Sequence, residues 1–220
     1  MKPYYEQAGI TIYHGDCRDF AIESEAVISD PPYGMRCKTN SNRFTGGHNS
    51  HRRGGRMSPP IVGDDAPFDP APWLNYKNVI LWGFNHFASR LPVGRTLVWI
   101  KRLDGAFGSF LSDAELAWMK GGHGVYCHRD LSMMSVQGHR VHPAEKPVQL
   151  MKWCLLQIGE PWTIGRVLDP YCGSGSTLIA AKDLGLRAVG IEIEERYCEI
   201  AAKRLSQDVL FGGRGVNGRN

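Results

Sequence analysis

The sequence predicts an α/β fold. Three observations carry this. Short apolar, β-branched runs alternate with segments of helical spacing. Two of those runs end in an aspartate-proline corner, Asp30-Pro31-Pro32-Tyr33 and Asp169-Pro170-Tyr171. The second corner leads into Cys172-Gly173-Ser174-Gly175-Ser176, a helical stretch and a further strand ending at Glu192, which is the outline of a nucleotide-binding βαβ unit.

In chain order, residues 11–14 read as a first short strand that ends in Gly15-Asp16-Cys17, with a short helix over 18–25. Ala26-Val27-Ile28-Ser29 is a buried strand, stopped by Pro31 and Pro32 because proline cannot donate to a ladder. Residues 78–82 form a second buried strand, 85–91 a helix and 96–100 another strand. Residues 113–120 and 124–128 read as a strand pair joined through Gly121-Gly122. Val148, Leu150, Met151, Cys154, Leu155 and Ile158 fall at helical spacing, and Gly159 and Pro161 close that helix. The strand at 166–168, the helix at 178–184, the strand at 188–192 and a helix at 194–205 complete the order.

At 220 residues, a single domain over 1–211 is expected, with 212–220 a Gly/Arg/Asn-rich disordered tail. No apolar run approaches the ~20 residues that span a bilayer. The start of the chain lacks a signal-peptide apolar stretch, so a cytoplasmic protein with no membrane partner is expected. The six cysteines include no Cys-x-x-Cys pair and read as free thiols. His123, Cys127, His128, His139 and His142 match no zinc-ligand spacing, so no metal is expected.

The net charge of +4 is modest, but its placement is not. Residues 36–60 carry Arg36, Lys38, Arg43, Arg52, Arg53 and Arg56 and no acidic residue, and the rest of the chain is net negative. This aperiodic Gly/Ser/Asn-rich stretch reads as a mobile basic loop directly after the first corner. Taken alone it suits a solvated insert; beside a catalytic corner it suits a polyanion clamp that orders on binding.

Each corner has its own chemistry. Asp30 offers an acceptor-only carboxylate, the prolines a stiff backbone whose carbonyls stay free, and Tyr33 an aromatic face. Together they suit a planar group bearing an NH2. In the second corner the glycines allow close backbone approach, and the helix that follows presents free N–H groups. Glu192, 17 residues after Gly175, is placed to accept from two ribose hydroxyls. The full Gly-x-Gly-x-x-Gly of nicotinamide-binding folds is absent, and Asp169 before the loop suits an ammonium better than a pyrophosphate.

With Asp-Pro-Pro-Tyr first, His142-Pro143-Ala144-Glu145-Lys146-Pro147 late and Asp-Pro-x-x-Gly-Ser-Gly last, the chain resembles the β-class DNA amino-methyltransferases over residues 9–206. That family methylates adenine N6 or cytosine N4 with S-adenosylmethionine. The resemblance implies a class I, Rossmann-like fold with a seven-stranded, mostly parallel sheet, one antiparallel hairpin strand and helices on both faces. It implies that Asp169, Pro170, Tyr171, Cys172, Gly173, Ser174, Gly175 and Ser176 line the methionine end of the cofactor, that Glu192 holds its ribose, and that Asp16 and Cys17 meet its adenine. His142 and Lys146 would close over the methionine part. Residues 121–141 would be a short target-recognition segment. DNA is the implied partner, and a homodimer is compatible with the family although composition carries no signal for one. Ala144-Glu145 stands where Thr-Gln is commoner, and Ser176-Thr177 where Thr-Thr is.

The expected reaction is methyl transfer to the exocyclic nitrogen of a flipped-out base, adenine N6 by the family's preference for aspartate at the corner. Asp30 and the Pro31 carbonyl would accept the amino hydrogens while Tyr33 stacks on the ring. Cytosine N4, an RNA base or a side-chain amide would use the same corner. From another class, a non-catalytic nucleic-acid-binding partner subunit would keep the fold, and a nucleotide-binding oxidoreductase is disfavoured by the missing third glycine.

Overall fold

Side-chain alternation along the strands sets the layers. In β3 (Ala26–Ser29), Ala26 and Ile28 face one way and Val27 the other, and all are fully buried. The same split recurs in β4 (Asn78–Trp82), with Ile80 and Trp82 on one face and Val79 and Leu81 on the other. Strands buried on both faces read as continuous apolar runs, which is why these two were predicted with the bounds observed.

The computed structural model describes residues 2–34, 62–108, 112–132 and 145–207. One sheet runs in the order β1-β2-β8-β7-β3-β4-β6-β5. Its other members are β1 (Tyr5–Gln7), β2 (Ile10–His14), β5 (Gly94–Ile100), β6 (Ala114–Arg129), β7 (Arg166–Asp169) and β8 (Arg187–Glu192). Strands β2, β8, β7, β3 and β4 are mutually parallel.

The sheet is therefore eight-stranded and mixed, not seven-stranded and mostly parallel. Strand β1 adds an antiparallel edge on β2, through a turn in which Ala8 and Gly9 both have positive φ, 50° and 77°. A two-residue hairpin needs that backbone, and Asn-Gly or Asp-Gly usually signals it. Alanine carries no such signal, so β1 was not anticipated. The second difference is β6. Its first leg lies antiparallel between β4 and β5, with pairs Ile80↔Met119 and Ile100↔Ala114. Past Gly121-Gly122 the chain rounds the start of β5, and the second leg follows β5 on its far side, with pairs Thr96↔Val125 and Ile100↔Arg129. The two expected segments exist, but β5 lies between them.

Among the described residues, three α-helices cover one face: α1 (Val148–Ile158), α2 (Ser176–Asp183) and α3 (Glu195–Ser206). Leu150, Leu155, Leu178, Ala181, Cys198 and Leu205 pack there against Ile10, Ile28 and Ile80. The opposite face has no α-helix among the described residues. Phe68, Trp73 and Phe87, from loops and 3-10 turns, cover Val27, Val79, Leu81 and Leu168. The helices expected at 18–25 and 85–91 are 3-10 turns instead, Cys17–Asp19, Phe84–His86 and Ala88–Arg90. Segments of seven or eight residues bear the full cost of nucleation with few bonds to repay it.

No described helix is long and apolar enough to cross a membrane. The basic loop at 36–60, residues 133–141 of the expected recognition segment, His142 and the 212–220 tail lie outside the described residues.

Candidate active site

The carboxyl ends of four adjacent parallel strands carry the predicted site residues. Across the sheet they run from Asp16 beyond β2, through Glu192 at the end of β8 and Asp169 at the end of β7, to Asp30 beyond β3, and Gly83 follows beyond β4 as a position not anticipated. After β7 the chain turns back to β8 on one side; after β3 it goes to β4 on the other. The crevice of an open α/β sheet lies where the connections diverge in this way. A pocket opens at this junction, with Asp30, Lys146, Asp169, Gly173, Ser174 and Ser176 in its wall. Ser29 Oγ spans the junction by donating to Asp169 Oδ1 at 2.7 Å.

The glycine loop is held by buried carboxylates. Asp169 Oδ1 also accepts from Tyr171 N at 3.2 Å, while Pro170 and Cys172 are buried beside it. Burial pushes Asp169 up to about 6, against hydrogen bonds from Thr177, Ser29 and Tyr171 that pull it down. Glu192 accepts from Gly173 N at 2.9 Å through Oε2 and from Glu194 N at 2.8 Å through Oε1. Burial raises its pKa too, despite those two donors. Gly175, at φ 84°, precedes α2 and lies so close to α3 that an added Cβ would stand 2.9 Å from Ala201 Cβ. Ser176 Oγ is buried here without a hydrogen-bond partner.

Beside the loop, Gly15 N donates to Glu192 O at 2.9 Å, bringing the Asp16–Cys17 turn next to Glu192. Asp16 accepts from Arg18 N at 2.9 Å, and the Arg18 guanidinium, through its side-chain hydrogen bonds, holds its carboxyl below the usual range. Burial pushes the Cys17 thiol up, and a hydrogen bond links it to Tyr171.

At the first corner both Asp30 oxygens are engaged. Oδ1 accepts from the Tyr33 hydroxyl and Oδ2 from the Lys146 ammonium, which is buried. Burial raises the Tyr33 hydroxyl, and the Asp30 carboxylate raises it further. The Tyr33 ring stacks on His86, with centroids 4.9 Å apart and planes 12° from parallel. Gly83 admits that ring: a Cβ there would stand 2.2 Å from its carbons, and φ is 71°. Pro31 is buried and Pro32 half-buried.

Several contributors were not anticipated. Glu115, on the first leg of β6, lies 3.2 Å from Lys146 Nζ, and Lys101 Nζ meets its other oxygen at 2.7 Å. His86 backs Tyr33. Arg204 of α3 pairs with Glu145 at 2.8 Å and donates to Ser174 O at 2.8 Å, tying the segment before α1 to the glycine loop. These residues reach the site from separate segments of the chain, and only the tertiary fold brings them together. Arg36, Lys38, Arg43, Arg52, Arg53, Arg56 and His142 lie outside the described residues.

Against known proteins, a family model described as DNA methylase matches residues 107–203. The chain is 38% identical over 71 residues to the type II methyltransferase M.HinfI of Haemophilus influenzae, covering 32% of this chain and 19% of that protein. Curated relatives are matched over 30% of their length or less. In structure, the chain resembles M1.HpyAVI, solved as a complex with SAM, at TM-score 0.55 and 20% identity over 89% of this chain and 99% of that one. It also resembles the PvuII DNA methyltransferase, described as cytosine-N4-specific, at TM-score 0.57 and 13% identity over 96% and 91%. The fold is thus that of solved DNA methyltransferases, and the sequence match falls on the half of the chain that holds the glycine loop.

Proposed function

We propose that this protein is a DNA methyltransferase that uses S-adenosylmethionine to methylate the N6 amino group of a flipped-out adenine. The observation that carries this reading is the pocket at the divergence of β3 and β7. It brings the carboxylate of Asp-Pro-Pro-Tyr and the glycine loop to one opening from positions 139 residues apart, Asp30 and Asp169. The family match and the fold likeness support it independently.

The residues fit the cofactor. Ser176 Oγ has no protein partner, the N-terminus of α2 offers free N–H groups, and Asp169 and Glu192 supply buried negative charge next to them. When bound, S-adenosylmethionine supplies an electrophilic sulfonium methyl. Asp169 and the backbone of residues 171–175 would hold its amino-acid end, Glu192 its ribose, and Asp16 and Cys17 the adenine side.

Asp30 accepts a hydrogen of the target amino group. A carboxylate has about four lone-pair sites, so it does this while keeping Tyr33 and Lys146. The Pro31 carbonyl takes the second hydrogen. These acceptors favour a pyramidal nitrogen with its lone pair free, and their negative charge stabilises the positive charge that develops there. The six basic residues of 36–60 would neutralise phosphates near the corner.

Cytosine N4 is the second reading, since it presents the same NH2 to the same acceptors and the PvuII enzyme shares the fold. Incubating DNA with methyl-labelled S-adenosylmethionine, digesting to nucleosides and identifying the product by mass spectrometry tests both. N6-methyladenine is expected. N4-methylcytosine would keep the site and replace the substrate, and unmethylated DNA, duplex and single-stranded, would overturn the reading.

A further inference from the structure

A cation beside Asp30 ought to weaken a corner whose task is to meet positive charge. Lys146 is such a cation. It sits between Asp30 and Glu115, its ammonium against the first and 3.2 Å from the second, and 5.7 Å from the Trp82 ring centroid. Asp30 with Lys146 alone would be a neutral pair. Glu115 sets a second carboxylate against Lys146, and Lys101 meets the Glu115 oxygen that does not face Lys146, so the two carboxylates and two ammoniums cancel, and without the Glu115 charge the cluster would be net cationic.

We infer that Glu115 is a positioning residue for methyl transfer: by holding Lys146 and balancing its charge it keeps the Asp30 corner oriented and free of net positive charge toward the substrate amino group. The inference rests on the methyltransferase reading and extends it to a strand, the first leg of β6, that carries none of the expected site motifs. The groups facing Lys146 are Asp30 from the end of β3, Glu115 from β6, Trp82 from β4 and the Cys154 thiol from α1. Burial alone pulls the Lys146 pKa down. The two carboxylates reverse that and raise its pKa, while Glu115, pushed up by burial, is brought below its usual range by Lys146 and Lys101.

Asp30 keeps both partners when Glu115 is changed, so the corner survives but loses its balance of charge. Glu115→Gln preserves shape and removes the charge. In that variant kcat should fall about ten- to a hundredfold, the range of a lost electrostatic contribution at a transition state. The KM for DNA and the cofactor Kd should stay within about twofold, because Glu115 touches neither in the proposed complex. Glu115→Asp, which keeps the charge, should recover part of the loss. Independently of any activity, the ammonium of Lys146, followed by NMR of labelled lysine and assigned by its absence in Lys146→Met, should titrate at lower pH in Glu115→Gln than in the parent protein.

A parent enzyme that methylates DNA, with Glu115→Gln matching its kcat, would overturn the inference and leave the function standing. Equal losses in the Gln and Asp variants, accompanied by a lowered melting temperature, would also overturn it by showing a packing role. A parent protein that methylates no base would sink the functional reading itself. The Lys146 titration would then decide whether Glu115 governs that ammonium, and an unchanged titration would overturn the inference.

Discussion

The ammonium of Lys146 pairs with the carboxylate of Asp30, which lies 116 residues earlier in the chain. One residue opens the approach to α1 and the other ends β3. Both line the pocket that the glycine loop also lines. Tyr33 completes the arrangement by donating to the other Asp30 oxygen.

That hydroxyl changes what is expected of Tyr33. Stacking alone would make Tyr33→Phe harmless. Since the hydroxyl orients Asp30, Phe should reduce kcat roughly tenfold, about the worth of one hydrogen bond to a charged group. Tyr33→Ala should cost considerably more, because it also removes the aromatic face and the partner of His86. Steady-state methylation of the two variants checks this, and Phe as active as the parent would contradict it.

Gly83 should tolerate no side chain. A Cβ would stand 2.2 Å from Tyr33 ring carbons, at a backbone φ of 71° that disfavours any L residue. Gly83→Ala should fold, since the turn is at the surface end of β4, but with Tyr33 displaced. Turnover should drop at least tenfold while the cofactor Kd stays near that of the parent. Calorimetric titration alongside the methylation assay separates the two effects.

Asp169 gives a pH signature. Its folded pKa, about 6, lies above the unfolded value near 3.8, so the native state holds a proton more tightly than the unfolded one. The resulting cost of ionised Asp169 is absent below about pH 3.8, grows as pH rises toward 6 and is complete above it. Asp169→Asn should therefore gain stability relative to the parent by about 2 kcal/mol on going from pH 4 to pH 7.5. Urea unfolding of both proteins at the two pH values measures this. An equal difference at both would show that Asp169 titrates normally.

Glu192→Ala should weaken the cofactor site twice over. It removes the carboxylate proposed for the ribose and leaves the N–H groups of Gly173 and Glu194 without their acceptor. The cofactor Kd should rise by about ten- to a hundredfold, in line with 1–3 kcal/mol for the lost bonds. Calorimetric titration with S-adenosylmethionine reads it directly.

How much of this was legible in sequence depended on how local the signal was. The strand 26–29, its proline stop, and the path from β7 through the glycine loop to Glu192 are written in contiguous residues, and the structure has them. The edge strand β1 was hidden because Ala8 occupies a turn position where alanine gives no warning. The paired segments at 113–120 and 124–128 were visible, but nothing local says that β5 is inserted between them. Among site residues, Asp30 and Asp169 stood out by their prolines. Glu115 and His86 carry no local signal, because only the fold places one beside Lys146 and the other on Tyr33.

The central claim is that Asp30 holds the amino group that receives the methyl. Single-turnover transfer from labelled S-adenosylmethionine to DNA, run in parallel on the parent and on Asp30→Ala, tests it most directly. Cofactor binding would be confirmed first for both by calorimetry. Labelled DNA is expected with the parent, and transfer about a hundred- to a thousandfold slower with Asp30→Ala despite near-parental cofactor affinity, roughly the scale of losing a preorganised transition-state contact. Transfer by Asp30→Ala at the parent rate would contradict it.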